Sequence, residues 1–205
     1  MRVVEEKNYP ETRDALGQNW HKLMSTALPD SNWLPIPNNG AFAVDYFQKC
    51  ELDGLILSGG NDLGESSVRD QTERSLLQHA IKRNIPVLGV CRGMQLVCDF
   101  FNVQLFECEP REHIATHHPI KFSENVPLVS LSAVVLTVNS FHRFGIKADG
   151  LPKKLSILAT TSDGWVEAIM VNDYPILCLM WHPEREDPIC EIDTRLIQKT
   201  FGWSQ

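Results

Sequence analysis

One cysteine, Cys91, stands between two glycines in Gly89-Val90-Cys91-Arg92-Gly93, where an apolar run gives way to a helical pattern. Read as G-x-C-x-G at a strand-to-helix turn, this is the cysteine form of a nucleophile elbow. The glycines leave room for a sharp turn and for close helix packing, and the helix N-terminus beyond favours a thiolate over a thiol. The plain alternative is a buried cysteine beside packing glycines. A thiolate nucleophile needs a base and a group that orients the base. His182 closes the apolar run "YPILCLMW", and Glu184 follows two residues later in "MWHPERE". Residues i and i+2 of an extended chain point the same way, so Glu184 can accept from one imidazole nitrogen while the other faces Cys91. The alternative here is a surface H-P-E-R turn. A third segment, Ser58-Gly59-Gly60-Asn61-Asp62, follows another apolar run. Its glycines suit a turn whose backbone N–H groups, with that of Arg92, could receive an oxyanion. An ordinary glycine turn is the alternative.

These groups need strand ends to hold them. "DGLILSGG" (53–60) reads as a buried strand, 69–84 as an amphipathic helix with Leu76, Leu77, Ala80 and Ile81 on one side, and 85–90 as the next buried strand. Residues 92–102 read as a second helix, with Met94, Val97, Cys98 and Phe101 at helical spacing. Strand-helix-strand-helix predicts an α/β fold with a mostly parallel sheet flanked by helices, a flavodoxin-like arrangement. Strands are also predicted at 103–107, 133–139, 155–160, 165–170 and 175–181, with Asp163-Gly164 as a hairpin turn, and a helix over 11–28. No repeat or Gly/Ser linker interrupts the chain, so 1–205 reads as a single domain.

Composition narrows the class of function. The formal charge is −7, from 26 acidic and 19 basic residues, without a Lys/Arg-rich stretch. A nucleic-acid partner is therefore not expected, and a small-molecule partner is the default. No apolar run reaches the length of a membrane span, and "MRVVEEKNYPETRD" has no signal-peptide core, which predicts a cytoplasmic protein. None of the six cysteines forms a C-x-x-C pair, so neither a structural zinc site nor a disulfide framework is expected. His113, His117 and His118 in "REHIATHHPI" have an H-x3-H-H spacing that could hold a metal. They read instead as loop and strand near the site, since thiol-imidazole chemistry uses no metal or cofactor.

In this order and spacing, "LILSGGND", "VLGVCRGMQL" and "MWHPERE" resemble the oxyanion loop, nucleophile elbow and terminal His-x-Glu pair of the class I glutamine amidotransferase superfamily, over roughly residues 50–187. The resemblance implies a Cys91-His182-Glu184 triad acting on a γ-glutamyl amide, with the N–H groups of Gly60 and Arg92 as the oxyanion hole. It makes Gln95, one turn past the cysteine, a contact to the glutamyl moiety. Ser140 and Phe141 in "VNSFHRFGI" would give backbone contacts, and Asn61 is counted with the substrate residues. "VNSFHRFGI" is similar to the "VNSxHHQ" of γ-glutamyl hydrolases, including γ-glutamyl-γ-aminobutyrate hydrolases, but Arg143 and Phe144 depart from it. "SGGNDL" and "YPETRDALGQNW" look closer to the short γ-glutamyl-CDP-amidate hydrolases. For a diphosphate-bearing substrate, Arg13, Arg92 and Arg143 are the candidate guanidinium contacts, Arg13 first.

The alternative function is a glutaminase subunit delivering ammonia to a separate synthetase, which alone would require a protein partner. A homodimer is compatible with either. Non-catalytic binding is disfavoured by the complete set of three residues. Relatives in the superfamily open with an "xIGIT" strand before the segment matching "MRVVEEKNYPETRD", so the resemblance implies a start upstream of Met1 or an internal methionine. Restoring natural upstream codons is then expected to raise soluble yield or melting temperature, and an unchanged melting curve would count against it.

Overall fold

The computed structural model describes residues 1–123 and 134–202. A seven-stranded sheet organises the chain. It is built from β3 (Leu55–Leu57), β4 (Val87–Val90), β6 (Ile114–Phe122), β7 (Val135–Phe141), β9 (Leu155–Thr160), β10 (Val166–Val171) and β11 (Ile176–Leu179), in the spatial order β3-β4-β11-β10-β9-β6-β7. Two small antiparallel pairs lie outside it: β1 (Arg2–Glu5) with β2 (Thr12–Ala15), and β5 (Phe106–Glu107) with β8 (Phe144–Gly145).

Burial on both faces explains the apolar runs at the centre. Leu88 and Val90 of β4 and Leu177 and Leu179 of β11 pack on one face, against α1 (Asn19–Ala27) and α6 (Glu191–Thr200). Val87, Ile176 and Cys178 face the other way, toward α2 (Ala43–Lys49), α3 (Ser67–Arg83) and α4 (Arg92–Phe100). A short α5 (Pro110–His113) precedes β6. The α1 residues buried are Trp20, Leu23, Met24 and Ala27, an i, i+3, i+4, i+7 stripe. The buried stripe of α3 is Arg69, Thr72, Glu73, Leu76, Leu77 and Ala80. Its C-terminal half is apolar as the sequence indicates; its N-terminal half buries charge. Asn84, in the left-handed region, ends it. Among the described residues, no helix is long and apolar enough to cross a membrane.

The α/β architecture with flanking helices and a strand–helix cysteine turn matches expectation, but the sheet is mixed rather than mostly parallel. Only β3, β4 and β11 run parallel; β11-β10, β10-β9, β9-β6 and β6-β7 are antiparallel. Short connections between β9 and β10, at the Asp163-Gly164 turn, and between β10 and β11 return the chain directly beside itself, which only antiparallel pairing permits. The helix expected over 11–28 begins only at Asn19. Thr12–Ala15 pairs with Arg2–Glu5 instead, so "RVV" forms a hairpin strand and not part of the main sheet. Of the strand expected at 103–107, only Phe106 and Glu107 form a ladder. The strand expected at 133–139 is β7; residue 133 lies outside the described residues.

The tightest joint in the sheet–helix packing is at Gly93. A Cβ there would lie 2.1 Å from the Leu57 carbonyl oxygen and 2.9 Å from its carbonyl carbon. Backbone cannot yield as a flexible side chain can, so Gly93→Ala is expected to destabilise the protein by about 3 kcal/mol or more. Denaturant unfolding of the variant measures this, and a loss below about 1 kcal/mol would show that α4 can shift off β3.

Candidate active site

The carboxyl ends of the three parallel strands converge. Cys91 follows β4, the Ser58–Asn61 loop follows β3, and His182 is the third residue after β11. Cys91 has φ 52° and ψ −105°, a strained setting for a residue with a side chain. Its N–H donates to the Leu179 carbonyl at 2.7 Å, and its carbonyl accepts from the Gln95 N–H at 3.1 Å, so both flanking elements hold the strained residue. The side chain is buried but reaches a cleft of about 250 Å³.

His182 lines the same cleft. Its Nδ1 lies 2.7 Å from Glu184 Oε1, which leaves Nε2 as the second working nitrogen. Pro183 opens a single 3-10 turn, Pro183–Arg185, that brings the carboxylate back under the ring. The pair is therefore joined by a helical turn and not by the extended strand that the sequence suggested. Burial by itself lowers the imidazolium pKa of His182. Hydrogen bonds and charges from Cys91 and Glu184 outweigh it and hold the value up at about 9. Asn139 fixes the backbone: its Nδ2 donates to the His182 carbonyl at 2.9 Å, and its Oδ1 accepts from the His182 N–H at 3.0 Å. Trp181 is fully buried, as expected of a core residue, and its Nε1 donates to Asp193 on α6 at 3.0 Å. Burial, the leading cause, pushes the Asp193 carboxyl up to about 7.

The loop after β3 is held from beneath by buried charge. Arg69 Nη2 donates to the carbonyls of Ser58 and Gly59 at 2.8 and 3.0 Å, and its Nε donates to Glu73 at 2.8 Å. Glu73 also accepts from Arg92, which reaches Asp70 as well. The polar half of α3 thus ties the carbonyls of the loop after β3 and the Arg92 side chain into one network. A Cβ on Gly59 would lie 2.7 Å from His182 Cε1, so the loop passes too close to the imidazole for a side chain.

Of the residues singled out in the sequence, Cys91, His182, Gly60, Arg92, Gln95, Asn61 and Phe141 line the cleft. Glu184 lies behind His182. Gln95 Nε2 donates to the Phe144 carbonyl at 2.8 Å. Asn61 also braces the N-terminal hairpin, exchanging hydrogen bonds with the backbone of Val3 at 2.8 and 3.1 Å. Ser140 does not line the cleft; its hydroxyl donates to the His113 carbonyl at 2.8 Å. Arg13 is also elsewhere, on β2, in contact with Glu6, Glu11 and Tyr9. Motif likeness alone pointed to it, and its own hairpin satisfies it. The arginines that do line the cleft beside Arg92 are Arg2, Arg143 and Arg185. Arg185 stacks on Phe141 at 4.3 Å, and Arg143 pairs with Glu107 at 3.0 Å. Arg2, Arg185, Asn139 and Arg69 were missed. Asn139 stood inside the quoted "VNSFHRFGI", but an asparagine on a strand carries no signal of what it will clamp.

A strained cysteine and a histidine–carboxylate pair at the ends of parallel strands, flanked by helices, define the class I glutamine amidotransferase-like fold. The family profile described as Peptidase C26 matches residues 4–184. The chain belongs to that family and is a glutamine amidotransferase-like hydrolase of amide bonds. It is 32% identical over 198 residues to the gamma-glutamyl-CDP-amidate hydrolase of Campylobacter jejuni, covering 94% of this chain and 91% of that one. It is 28% identical over 149 residues to the glutamine-hydrolyzing GMP synthase subunit of Methanococcus aeolicus, covering 73% of each. Among solved structures, a putative GMP synthase subunit from Thermoplasma acidophilum superposes with a TM-score of 0.68 at 22% identity, over 93% of this chain and 90% of that one; at that identity the likeness concerns the fold.

The raised His182 pKa makes a stability prediction. In the folded state the ring keeps its proton up to about 9, against an ordinary 6.5, so its stabilisation is complete below pH 6.5 and is lost as pH rises through about 9. Glu184→Gln removes one of the partners that hold the proton. Melting temperatures from pH 6 to 10 are therefore expected to fall less steeply in the variant than in the native protein across that window. Parallel curves would show that Glu184 does not hold the proton on His182.

Proposed function

We propose that the protein hydrolyses a γ-glutamyl amide through a γ-glutamyl thioester on Cys91. The observation that carries this reading is the strained Cys91 sharing one cleft with His182, whose Nδ1 is fixed by Glu184 at 2.7 Å. The Cys91 thiolate attacks the γ-carbonyl carbon, and the N–H groups of Gly60 and Arg92 receive the oxyanion. His182 gives its Nε2 proton to the departing nitrogen as the C–N bond breaks. It then takes a proton from water, which attacks the thioester and releases glutamate and the free thiolate. Gln95 and the backbone around Phe141 hold the glutamyl end, and Glu184 keeps the ring oriented.

Our preferred substrate is γ-glutamyl-CDP-amidate, giving glutamate and cytidine diphosphoramidate for phosphoramidate decoration of surface polysaccharide. Two facts support it: the likeness to the Campylobacter jejuni hydrolase over nearly the whole chain, and the arginines at the cleft. Arg2, Arg143 and Arg185 offer guanidinium forks to a diphosphate, the role first expected of Arg13. Arg92 is committed to Glu73 and Asp70 and contributes its N–H instead. The second reading, a glutaminase subunit serving a separate synthetase, is favoured by the likeness to the Methanococcus aeolicus protein. A small-molecule substrate, a reaction that uses no cofactor and a cytoplasmic setting accompany the preferred reading.

The test is a substrate panel of glutamine, γ-glutamyl-γ-aminobutyrate, γ-glutamyl polyamines and γ-glutamyl-CDP-amidate, with Cys91→Ala and Arg143→Ala variants. Cys91→Ala is expected to lower turnover about ten-thousand-fold or more. Arg143→Ala is expected to raise KM for the amidate about tenfold, equivalent to about 1.4 kcal/mol, and to leave glutamine kinetics within about twofold. Turnover that survives Cys91→Ala would overturn the mechanism. Activity on glutamine alone, and only with a synthetase added, would replace the preferred substrate with the second reading.

A further inference from the structure

At the wall of the cleft, which His142 helps to line, a set of imidazoles and a carboxylate meet at the histidine-bearing end of β6. β6 pairs with β9 only through Lys121 and Phe122, so its earlier residues run past that ladder. Alternation along the strand turns His118 inward with Ile120 and Phe122 and leaves His117 exposed. A register shift between Ile114 and Thr116, with Ala115 at φ 54°, re-aims the chain here, and His113 at the end of α5 is buried. Glu167, on β10, is fully buried and faces them. His142, from the turn after β7, completes the group.

The hydrogen bonds fix which nitrogens face inward. His118 Nδ1 lies 3.3 Å from the Glu112 carbonyl, and His142 Nδ1 lies 3.1 Å from the Phe144 carbonyl. A carbonyl only accepts, so each Nδ1 carries a proton and, in the neutral ring, each Nε2 presents a lone pair. Those Nε2 atoms lie 3.3 and 3.4 Å from Glu167 Oε1. Among the described residues, neither carboxylate oxygen of Glu167 nor Nε2 of His118 makes a hydrogen bond of acceptable geometry. Lone pairs aimed at a buried carboxylate repel it unless positive charge sits between them, either a proton on an imidazole or a metal ion. Imidazoles whose outer N–H groups are held by backbone carbonyls, with inner nitrogens converging on a carboxylate, form an arrangement suited to a metal ion.

We propose that His113, His118 and Glu167 bind a divalent transition-metal ion of the zinc type, with water completing its coordination. The donor atoms of His113, His118 and Glu167 all lie within 4.8 Å of one another. A tetrahedral set with bonds of about 2.1 Å has ligand–ligand edges of about 3.4 Å, close to the 3.3 Å between His118 Nε2 and Glu167 Oε1. Imidazole and carboxylate ligands suit zinc and its neighbours better than calcium or magnesium. Cys108 Sγ lies 3.8 Å from His142 Nδ1, but burial pushes that thiol up to about 12, and it stays a neutral neighbour. The ion would tie α5, β6 and β10 together, next to the turn after β7 that lines the cleft through His142 and carries the Phe144 carbonyl on which Gln95 rests, so its role would be structural.

The experiment uses the full chain with Cys91→Ala, which removes the cleft thiolate as a competing metal ligand. After chelation, Co2+ titration is expected to give one ion per chain with the visible absorption of tetrahedral N/O coordination, and Zn2+ to raise the melting temperature. His118→Ala and Glu167→Gln should each weaken Co2+ binding about tenfold or more, while the exposed His117→Ala should not change it. Melting of the metal-free variants reports whether they fold; His118, at the edge of the group, keeps the test open if Glu167→Gln does not. Absence of stoichiometric binding, binding indifferent to both substitutions, or a thiolate-to-cobalt band abolished by Cys108→Ser would each overturn the proposal. None of these outcomes bears on the reading of the cleft, because its thiol is absent throughout.

Discussion

Everything at the site depends on one strained residue. Cys91 holds a left-handed backbone that its side chain disfavours, at a cost of order 1–3 kcal/mol. The surroundings must over-determine it. β11 accepts its N–H, the first turn of α4 donates to its carbonyl, and Gly93 lets α4 approach the end of β3 closely. Because β3, β4 and β11 are parallel neighbours, fixing this turn also fixes what stands beside it: the glycine loop on one side and His182 on the other. The chemistry is therefore assembled from one end of a three-stranded sheet, where carboxyl ends of parallel strands leave room for a ligand.

A second constraint is electrostatic. Arg69, Glu73 and Arg92 are almost wholly buried, and isolated charges there would be costly. They are tolerated because Glu73 together with Asp70 balances the two arginines, and because Arg69 satisfies the Ser58 and Gly59 carbonyls. Replacing the network by apolar side chains of similar volume could preserve packing, but nothing would then hold those carbonyls away from the cleft. The network's value lies in orientation, which explains why the buried stripe of α3 changes from apolar to charged at its N-terminal half.

What was legible in the sequence follows from range. Cys91, the glycine loop and His182-Pro183-Glu184 each sit at the end of an apolar strand, so local pattern located them. The buried stripe of α1 and the C-terminal half of α3 were legible for the same reason. Sheet direction was not. The alternation of strands and helices in residues 53–102 indicates parallel pairing, and nothing local announces that later strands fold back as hairpins, beyond the Asp163-Gly164 turn. Arg13 shows the opposite failure: a motif likeness placed it at the substrate, while its neighbours Glu6 and Glu11 hold it on the hairpin. Asn139 and Glu167 were illegible because their partners lie 43 residues away at His182 and across the sheet at His118 and His142.

The two halves of the sheet divide the work. The parallel half holds Cys91, the glycine loop and His182, and its geometry tolerates little: one added methyl at Gly93 meets backbone. The antiparallel half contributes through turns and strand ends, namely Phe141 and Arg143, which line the cleft, and the Phe144 carbonyl, which accepts from Gln95. Loops of this kind tolerate substitution that the elbow cannot. Residues 141–144 and the hairpin bearing Arg2 therefore shape the cleft from elements other than those that hold Cys91, His182 and Glu184. The buried imidazole–carboxylate group adjoins the first of these through His142, whose Nε2 lies 3.4 Å from Glu167 Oε1.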